Sequence, residues 1–264
     1  MRRLLALALT GVVALVACGA SGGDSDLQSV AGAIREVESK GASFKMTETL
    51  TETGGDIPKG KMAQIKFNAN GQTRDDHVVL VLQLANGGGQ SGGAYDVVIN
   101  DSDVYVRPHG SARVFFLGAA AVANNFYPGV RLNLLRESAL LATRVDKSTN
   151  YSNGSFSDQY AVTPGSDQLE QLLSSVEPPD KEVKFLKSAS GTITFYLGTS
   201  GHHLQRVDFK FASTDPDSGL KTAFTSSLTF ANLGKVPTPK VPGGAIAVQP
   251  SDLFSTATTP PGQS

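Results

Sequence analysis

The stretch Ala42-Ser43-Phe44-Lys45-Met46-Thr47-Glu48-Thr49-Leu50 decides the fold, because its side chains change character at every second residue. Large apolar residues at Phe44, Met46 and Leu50 alternate with lysine and threonine. A period of two places successive side chains on opposite faces of an extended chain. The stretch therefore predicts a β-strand with one dry face.

The chain downstream contains eight more segments with strand character, separated by turn-forming residues. The predicted strands are residues 62–68, 77–84, 95–100, 104–107, 156–162, 192–197, 204–211 and 221–230. The predicted turns are Asn70-Gly71, Asn100-Asp101, residues 198–201 and residues 215–219. This succession predicts a meander of antiparallel hairpins.

One of these strands is apolar on both faces, since Val78, Leu80 and Leu82 alternate with Val79 and Val81. Antiparallel sheets commonly leave one face in water, so the pattern indicates a strand that is covered on both sides. We interpret it as a central strand with protein on one side and a helix or a cavity on the other. A plain buried strand is the simpler interpretation.

An amphipathic helix is predicted before the first strand. Apolar residues from Leu27 to Val37 recur at helical spacing, and Gly41 ends the segment. Asp24 or Ser25 is the expected N-cap, because a short side-chain oxygen there accepts a hydrogen bond from the first turn.

A second helix is predicted around residues 130–145, and little of its circumference is polar. Leu132 and Leu135 fall on one side, whereas Leu134 and Leu141 lie nearly opposite. Such a helix needs apolar contact on two sides. Either it lies between the sheet and another protein element, or its second side faces an apolar ligand. A third helix, around residues 166–176, has a single apolar stripe and is assigned to core packing.

The N-terminus has the pattern of a leader that ends at a cysteine. Arg2 and Arg3 precede an uncharged apolar run at residues 4–16, which is too short to span a bilayer as a stable helix. Leu15-Val16-Ala17-Cys18 follows and resembles the lipobox of bacterial lipoproteins. We expect cleavage before Cys18 and lipidation of its sulfur, because an unpaired thiol in a secreted protein needs an explanation. The alternative is an ordinary secretory leader that ends near a cysteine.

We expect four parts: a leader at residues 1–17, a lipidated cysteine with a flexible tether at 18–26, one folded domain at 27–250 and a disordered tail at 251–264. Hydrophobic residues make up 40% of the chain and charged residues 18%, which is typical of a globular protein. The formal net charge is −1, and no basic cluster is present. Nucleic acid is therefore not an expected partner.

Three further stretches, taken in order along the chain, can be compared with known protein families. They are Ala42-Ser43-Phe44-Lys45-Met46-Thr47, then Val97-Val98-Ile99-Asn100-Asp101-Ser102-Asp103-Val104-Tyr105-Val106, and a late hairpin from Gly191-Thr192-Ile193-Thr194-Phe195-Tyr196-Leu197 through Leu204-Gln205-Arg206-Val207 to Thr225-Ser226-Ser227-Leu228-Thr229-Phe230. With the lipobox, tether and first helix, this order resembles the LppX/LprG group of actinobacterial lipoproteins over about residues 27–234. The chain departs from the group's usual pattern in having no tryptophan and a glycine-rich loop at residues 86–93.

The resemblance implies an α+β fold with a single large, strongly curved antiparallel sheet, or half-open β-barrel, similar to the carrier LolA, with helices across its concave side. It implies an apolar cavity that binds acylated lipids or glycolipids, and transport of them across the cell envelope together with envelope transport proteins. It also implies an N-terminal lipid anchor on the outer face of the cytoplasmic membrane and no cofactor. The alternative is an envelope interaction or sensor lipoprotein that uses the same fold to dock a protein partner.

Inward-facing residues of the predicted elements are candidates for lining this cavity. Each of them also fits ordinary core packing, since alternation shows the side of a strand but not what fills that side. They are Phe44, Met46, Leu50, Ile65, Phe67, Leu80, Leu82, Val97, Ile99, Leu132, Leu135, Phe195 and Leu228.

Catalytic and metal-binding patterns are matched only in part, so the sequence predicts no enzyme. Residues 89–93 fit G-x-S-x-G and residues 87–92 fit G-x-G-x-x-G, but a strand rather than a helix is predicted after both. His202 and His203 are adjacent and would point to opposite faces of a strand, which makes a poor metal pair. We therefore predict no catalytic residue and no metal site.

Overall fold

The computed structural model describes residues 23–75, 77–86, 91–100, 103–119, 144–152, 155–165 and 189–248. Within these ranges the chain forms one helix, α1 (Gly23–Lys40), and twelve strands. The strands are β1 (Ala42–Thr53), β2 (Ala63–Arg74), β3 (His77–Asn86), β4 (Ser91–Asn100), β5 (Asp103–Pro108), β6 (Phe115–Ala119), β7 (Arg144–Ser152), β8 (Ser155–Thr163), β9 (Ser190–Gly198), β10 (Leu204–Thr214), β11 (Lys221–Ala231) and β12 (Ile246–Ala247). None of the described helical residues belongs to a helix long and apolar enough to cross a membrane.

All twelve strands belong to one sheet, in the order β12-β6-β5-β4-β3-β2-β1-β11-β10-β9-β8-β7. Strands β1 to β6 form one antiparallel meander and β7 to β11 form a second. The pairing of β1 with β11 joins the two, and β12 adds parallel to β6. The sheet is open, with β7 and β12 at its edges, and sheets of this width curl rather than stay flat.

The predicted fold class is confirmed as a single large, mostly antiparallel open sheet with a helix against one face. Every predicted strand is present, but β6, β7 and β12 were not predicted. Strand β7 has few apolar residues because it is an edge strand, β6 is short, and β12 has only two residues. Periodicity gives little signal in such segments.

The turn predicted at Asn70-Gly71 is wrong, because both residues lie inside β2. The chain reverses later, where Asp75 has a positive φ of 52°. Gly71 is present for packing instead: a Cβ added there would overlap the Val79 carbonyl oxygen and lie 2.7 Å from the Cα of Leu80. A glycine within a strand often marks such a close approach of a neighbouring backbone.

Helix α1 begins at Gly23, so the last four residues of the predicted tether, residues 23–26, are helical. Acidic side chains in a first turn interact favourably with the helix dipole. The Nζ atom of Lys147 on β7 also lies 3.1 Å from a carboxylate oxygen of Asp26. At the other end, the Gly41 amide donates to the carbonyl of Val37 and terminates the helix.

Other predictions fall partly or wholly outside the described residues. These are the leader, Cys18, the tether before Gly23, the helix around residues 166–176 and the tail after residue 250. The helix predicted around residues 130–145 also lies outside, except at its end. There the prediction is wrong, since Arg144 and Val145 belong to β7.

One face of the sheet, here called the inner face, carries Phe44, Met46 and Glu48 of β1, and all three are buried. The opposite, outer face carries Lys45 and Thr47, which are exposed. Helix α1 packs on the inner face against β2, β7, β9 and β10. Its contribution to the core is an apolar stripe of Val30, Ala31, Ala33, Ile34 and Val37.

Replacing Gly71 with alanine tests the close packing of β2 on β3. We expect Gly71→Ala to lower the free energy of unfolding by about 2–3 kcal/mol, because the new methyl group overlaps backbone that has no room to move. Gly32→Ala is the matched control. A Cβ at Gly32 meets no atom within 4 Å, and alanine there should stabilise the helix by up to about 1 kcal/mol. Urea denaturation measures both changes, and equal effects would contradict this role of Gly71.

Candidate functional site: the inner face of the sheet

Side chains of the inner face line up in rows, because neighbouring antiparallel strands are in register. The row through Met46 is apolar across seven strands, apart from one tyrosine hydroxyl. It consists of Tyr160, Phe195, Val207, Leu228, Met46, Ala69 and Leu82. All seven are buried, so this level of the inner face is dry.

The next row contains a carboxyl group. Its buried members Val162, Ile193 and Phe209 lead to Ser226 on β11, which pairs directly with Glu48 on β1. Glu48 is only 3% exposed. The Ser226 hydroxyl donates a hydrogen bond of 3.2 Å to the Oε1 atom of Glu48. Glu48 and Ser226 therefore form a buried polar pair among apolar side chains.

Burial controls the ionisation of Glu48. It raises the pKa of this carboxyl to about 7, and the hydrogen bond from Ser226 opposes the shift. Removing a carboxylate from water disfavours its charged form, which is why burial raises the pKa of an acid. Near neutral pH the group is thus present in both forms and can accept a hydrogen bond or, when protonated, donate one.

On β1 and β2 the inner face reaches solvent one row beyond Glu48. Leu50 is half-buried and pairs there with Ile65 of β2, which is 38% exposed. Leu50 and Ile65 form an apolar rim. Apolar surface therefore continues from solvent to the level of the buried carboxyl.

A pair of phenylalanines lies beside the rim on β10 and β11. The rings of Phe211 and Phe224 are stacked, with centroids 6.2 Å apart and planes 7° from parallel. Gly191 on β9 makes this possible, because a Cβ at that position would overlap the Phe211 ring. The glycine gives the ring a flat surface to lie on.

The structure places all candidate cavity residues within the described ranges on the inner face. Seven of them are buried: Phe44, Met46, Leu80, Leu82, Val97, Phe195 and Leu228. Leu50, Phe67 and Ile99 are partly buried and pack against these residues, and Ile65 is exposed at the rim. Leu132 and Leu135 lie outside the described residues, as does the expected lipid attachment residue Cys18.

Glu48 was not among the residues predicted from the sequence to lie on the inner face, although the signal was present. Position 48 falls between Met46 and Leu50 in the alternation, and a carboxyl on the dry face of a strand is unusual. The doubly apolar strand, β3, is only partly as expected. Val78, Leu80 and Leu82 on its inner face are buried, but Val79 and Val81 on the outer face are half-buried.

The partial catalytic motifs occupy ordinary structural positions. Ser91 opens strand β4, so no helix follows the serine of the G-x-S-x-G match. His203 bonds to the Glu36 carboxylate of α1, and His202 has a positive φ of 50° in the turn before β10. The Asp215 side chain accepts bonds within the turn at residues 215–219, which was predicted as a turn.

Comparison with known proteins shows distant likenesses. No family model matches the chain, and no curated protein matches it. Among solved structures, LprF from Mycobacterium bovis is similar over 83% of this chain and 96% of that one, with 13% identity and a TM-score of 0.43. A LolA superfamily protein from Nitrosomonas europaea is similar over 81% and 97%, with 9% identity and a TM-score of 0.29. The architecture described above stands on this chain's own strand order and register.

The raised pKa of Glu48 predicts how stability depends on pH. The folded chain keeps this proton up to about pH 7, whereas the unfolded chain releases it near pH 4.5. Stability from Glu48 is therefore present below pH 4.5 and lost as pH rises to about 7, by about 3 kcal/mol in total. Glu48→Gln should remove this loss.

The free energy of unfolding in urea is measured at pH 4.5 and at pH 8 for the wild type and for Glu48→Gln. The difference between the two proteins at each pH gives the effect of Glu48. Asp56→Asn is the control, because it removes the same charge from an exposed loop position. A difference between the wild type and Glu48→Gln that does not change with pH would contradict the buried position of the carboxyl.

Proposed function

We propose that this chain is a membrane-anchored envelope lipoprotein that binds the acyl chains of a lipid against the inner face of its sheet. The observation that carries the proposal is the continuous apolar surface from the exposed rim at Ile65, through half-buried Phe67, to the dry row at Met46. Contiguous apolar surface that reaches solvent marks a ligand or interaction site in many soluble proteins.

Burial of hydrocarbon supplies the binding energy in this proposal. Each methylene moved from water to an apolar surface contributes about 0.8 kcal/mol, so a long chain binds without specific hydrogen bonds. Selectivity then depends on the space available and on a few polar groups near the head group. Glu48 and Ser226 form a buried polar pair one row from Leu50 of the rim.

The N-terminus supports a location at a membrane. The lipobox-like Leu15-Val16-Ala17-Cys18 predicts two or more acyl chains on one cysteine, and two chains hold a protein on a bilayer far more firmly than one. Because α1 begins at Gly23, few residues separate the expected anchor from the folded domain. The domain would lie close to the outer face of the cytoplasmic membrane, where lipids to be transported across the envelope are available.

Lipid extraction tests the proposal. The chain lacking residues 1–22, which keeps α1 whole, is expressed in a bacterium, purified without detergent and extracted with organic solvent. We expect mass spectrometry to find acyl lipid in roughly stoichiometric amount, as burial of long chains makes exchange into water slow. Absence of bound lipid would contradict lipid binding and would favour a docking surface for a protein partner.

Two lysine substitutions on β2 locate the lipid. Ile65→Lys places a charge on the inner face at the rim and should lower bound lipid about tenfold, because a charged side chain disfavours contact with hydrocarbon. Asn68→Lys adds the same charge to the same strand on the exposed outer face and should change nothing. Both sites are solvent-exposed, so both variants should fold. Equal lipid content in the two variants would contradict binding at the inner face.

A further inference from the structure

Polar side chains interrupt the inner face at two levels on β1, β10 and β11. Glu48 pairs with Ser226 at one level, and Thr222 pairs with Ser213 at the other, with Phe224 between them on β11. The four polar residues are all buried, Glu48 being 3% exposed and Thr222 6%. The strand rise of about 3.3 Å per residue puts the two levels about 13 Å apart.

The Thr222 hydroxyl has no hydrogen-bond partner in the part of the chain that the structure describes. A buried hydroxyl without a partner costs about 1–3 kcal/mol, and a valine of nearly the same shape would avoid that cost. The Glu48 carboxyl is also costly, since its apolar neighbours oppose ionisation. Two such costly polar groups among the mostly apolar side chains of the inner face suit a ligand whose own polar groups can bond to them.

The charges along the inner face restrict the head group of that ligand. The inner-face positions of β1, β2, β10 and β11 carry no lysine or arginine, and Glu52 is the one other titratable side chain among them. An anionic head group would therefore find no cation at the inner-face positions of these four strands and would be repelled by Glu48 when it is ionised. A neutral group that donates hydrogen bonds would find a carboxyl and a hydroxyl that accept them.

We propose that Glu48 and Thr222 form the head-group site of the inner face, and that the site takes a neutral acyl lipid with hydroxyl groups next to its hydrocarbon chain. The inference rests on the proposed lipid binding and deepens it. Glycerol and sugar head groups share this chemistry. The hydroxyls bond to Glu48 and Thr222 across Phe224, and the acyl chain lies along the dry row at Met46.

Four ligands with sixteen-carbon chains test whether the site prefers a neutral head group that carries hydroxyls. They are 1-monopalmitoylglycerol, hexadecyl glucoside, methyl palmitate, which lacks a hydroxyl, and palmitate, which is anionic. Their affinities are measured at pH 8 by displacement of a pyrene-labelled alkane from the full chain carrying Cys18→Ser. The wild-type site should bind at least one hydroxylated ligand about tenfold more tightly than methyl palmitate, the effect of about one added hydrogen bond to a charged group. Palmitate should bind more weakly than that hydroxylated ligand.

Three variants connect this preference to the site. Glu48→Met is an apolar substitution of similar size and should reduce the tenfold preference to less than threefold, while methyl palmitate still binds. Glu48→Gln keeps hydrogen-bonding capacity and should retain most of the preference. Asp75→Asn removes an exposed charge just after the end of β2 opposite the rim and should match the wild type.

The outcomes separate the site from the function. A wild-type protein that binds all four ligands equally, or a Glu48→Met variant that keeps the full preference, overturns the head-group site and leaves lipid binding standing. A protein that binds none of the four overturns the proposed function and this site together.

Discussion

Burial of one face of a single sheet is the constraint on which the rest of this structure depends. Twelve strands present one row of side chains after another to the same side, and β1 sits near the middle of them. Because side chains alternate along a strand, a shift of register by one residue would move every apolar side chain of that strand to the other face. Helix α1 covers part of this face with its own apolar stripe, and Gly71 and Gly191 allow close contacts between neighbouring strands.

A polar group acquires unusual properties when it is placed on such a face. Glu48 has an ordinary neighbour in Ser226, yet its pKa is set by the apolar residues around it rather than by another charge. In the same strand, Glu52 lies nearer the end of β1 and is only half-buried. The two glutamates therefore differ in burial because they lie at different positions along β1.

Sequence alone predicted the elements that repeat most regularly. Alternation located β1 and the late strands, and it assigned residues such as Phe195 and Leu228 to the correct face. It could not predict that the chain forms two meanders joined at β1 and β11, because strand order depends on contacts between distant segments. It mistook Asn70-Gly71 for a turn because a packing glycine and a turn glycine look alike in sequence. Position 48 falls on the inner face by alternation, but a glutamate is not expected on a buried face, so Glu48 was not predicted there.

The central claim is that the inner face holds hydrocarbon, and a spin-labelled lipid tests it most directly. A monoacylglycerol with a nitroxide near the end of its chain broadens the NMR signals of methyl groups close to that chain. The account predicts stronger broadening of the methyl signals of Met46, Leu50 and Ile65 on the inner face than of those of Val79 and Val98 on the outer face. Stronger broadening of the outer-face valines, or broadening of neither set, would contradict it.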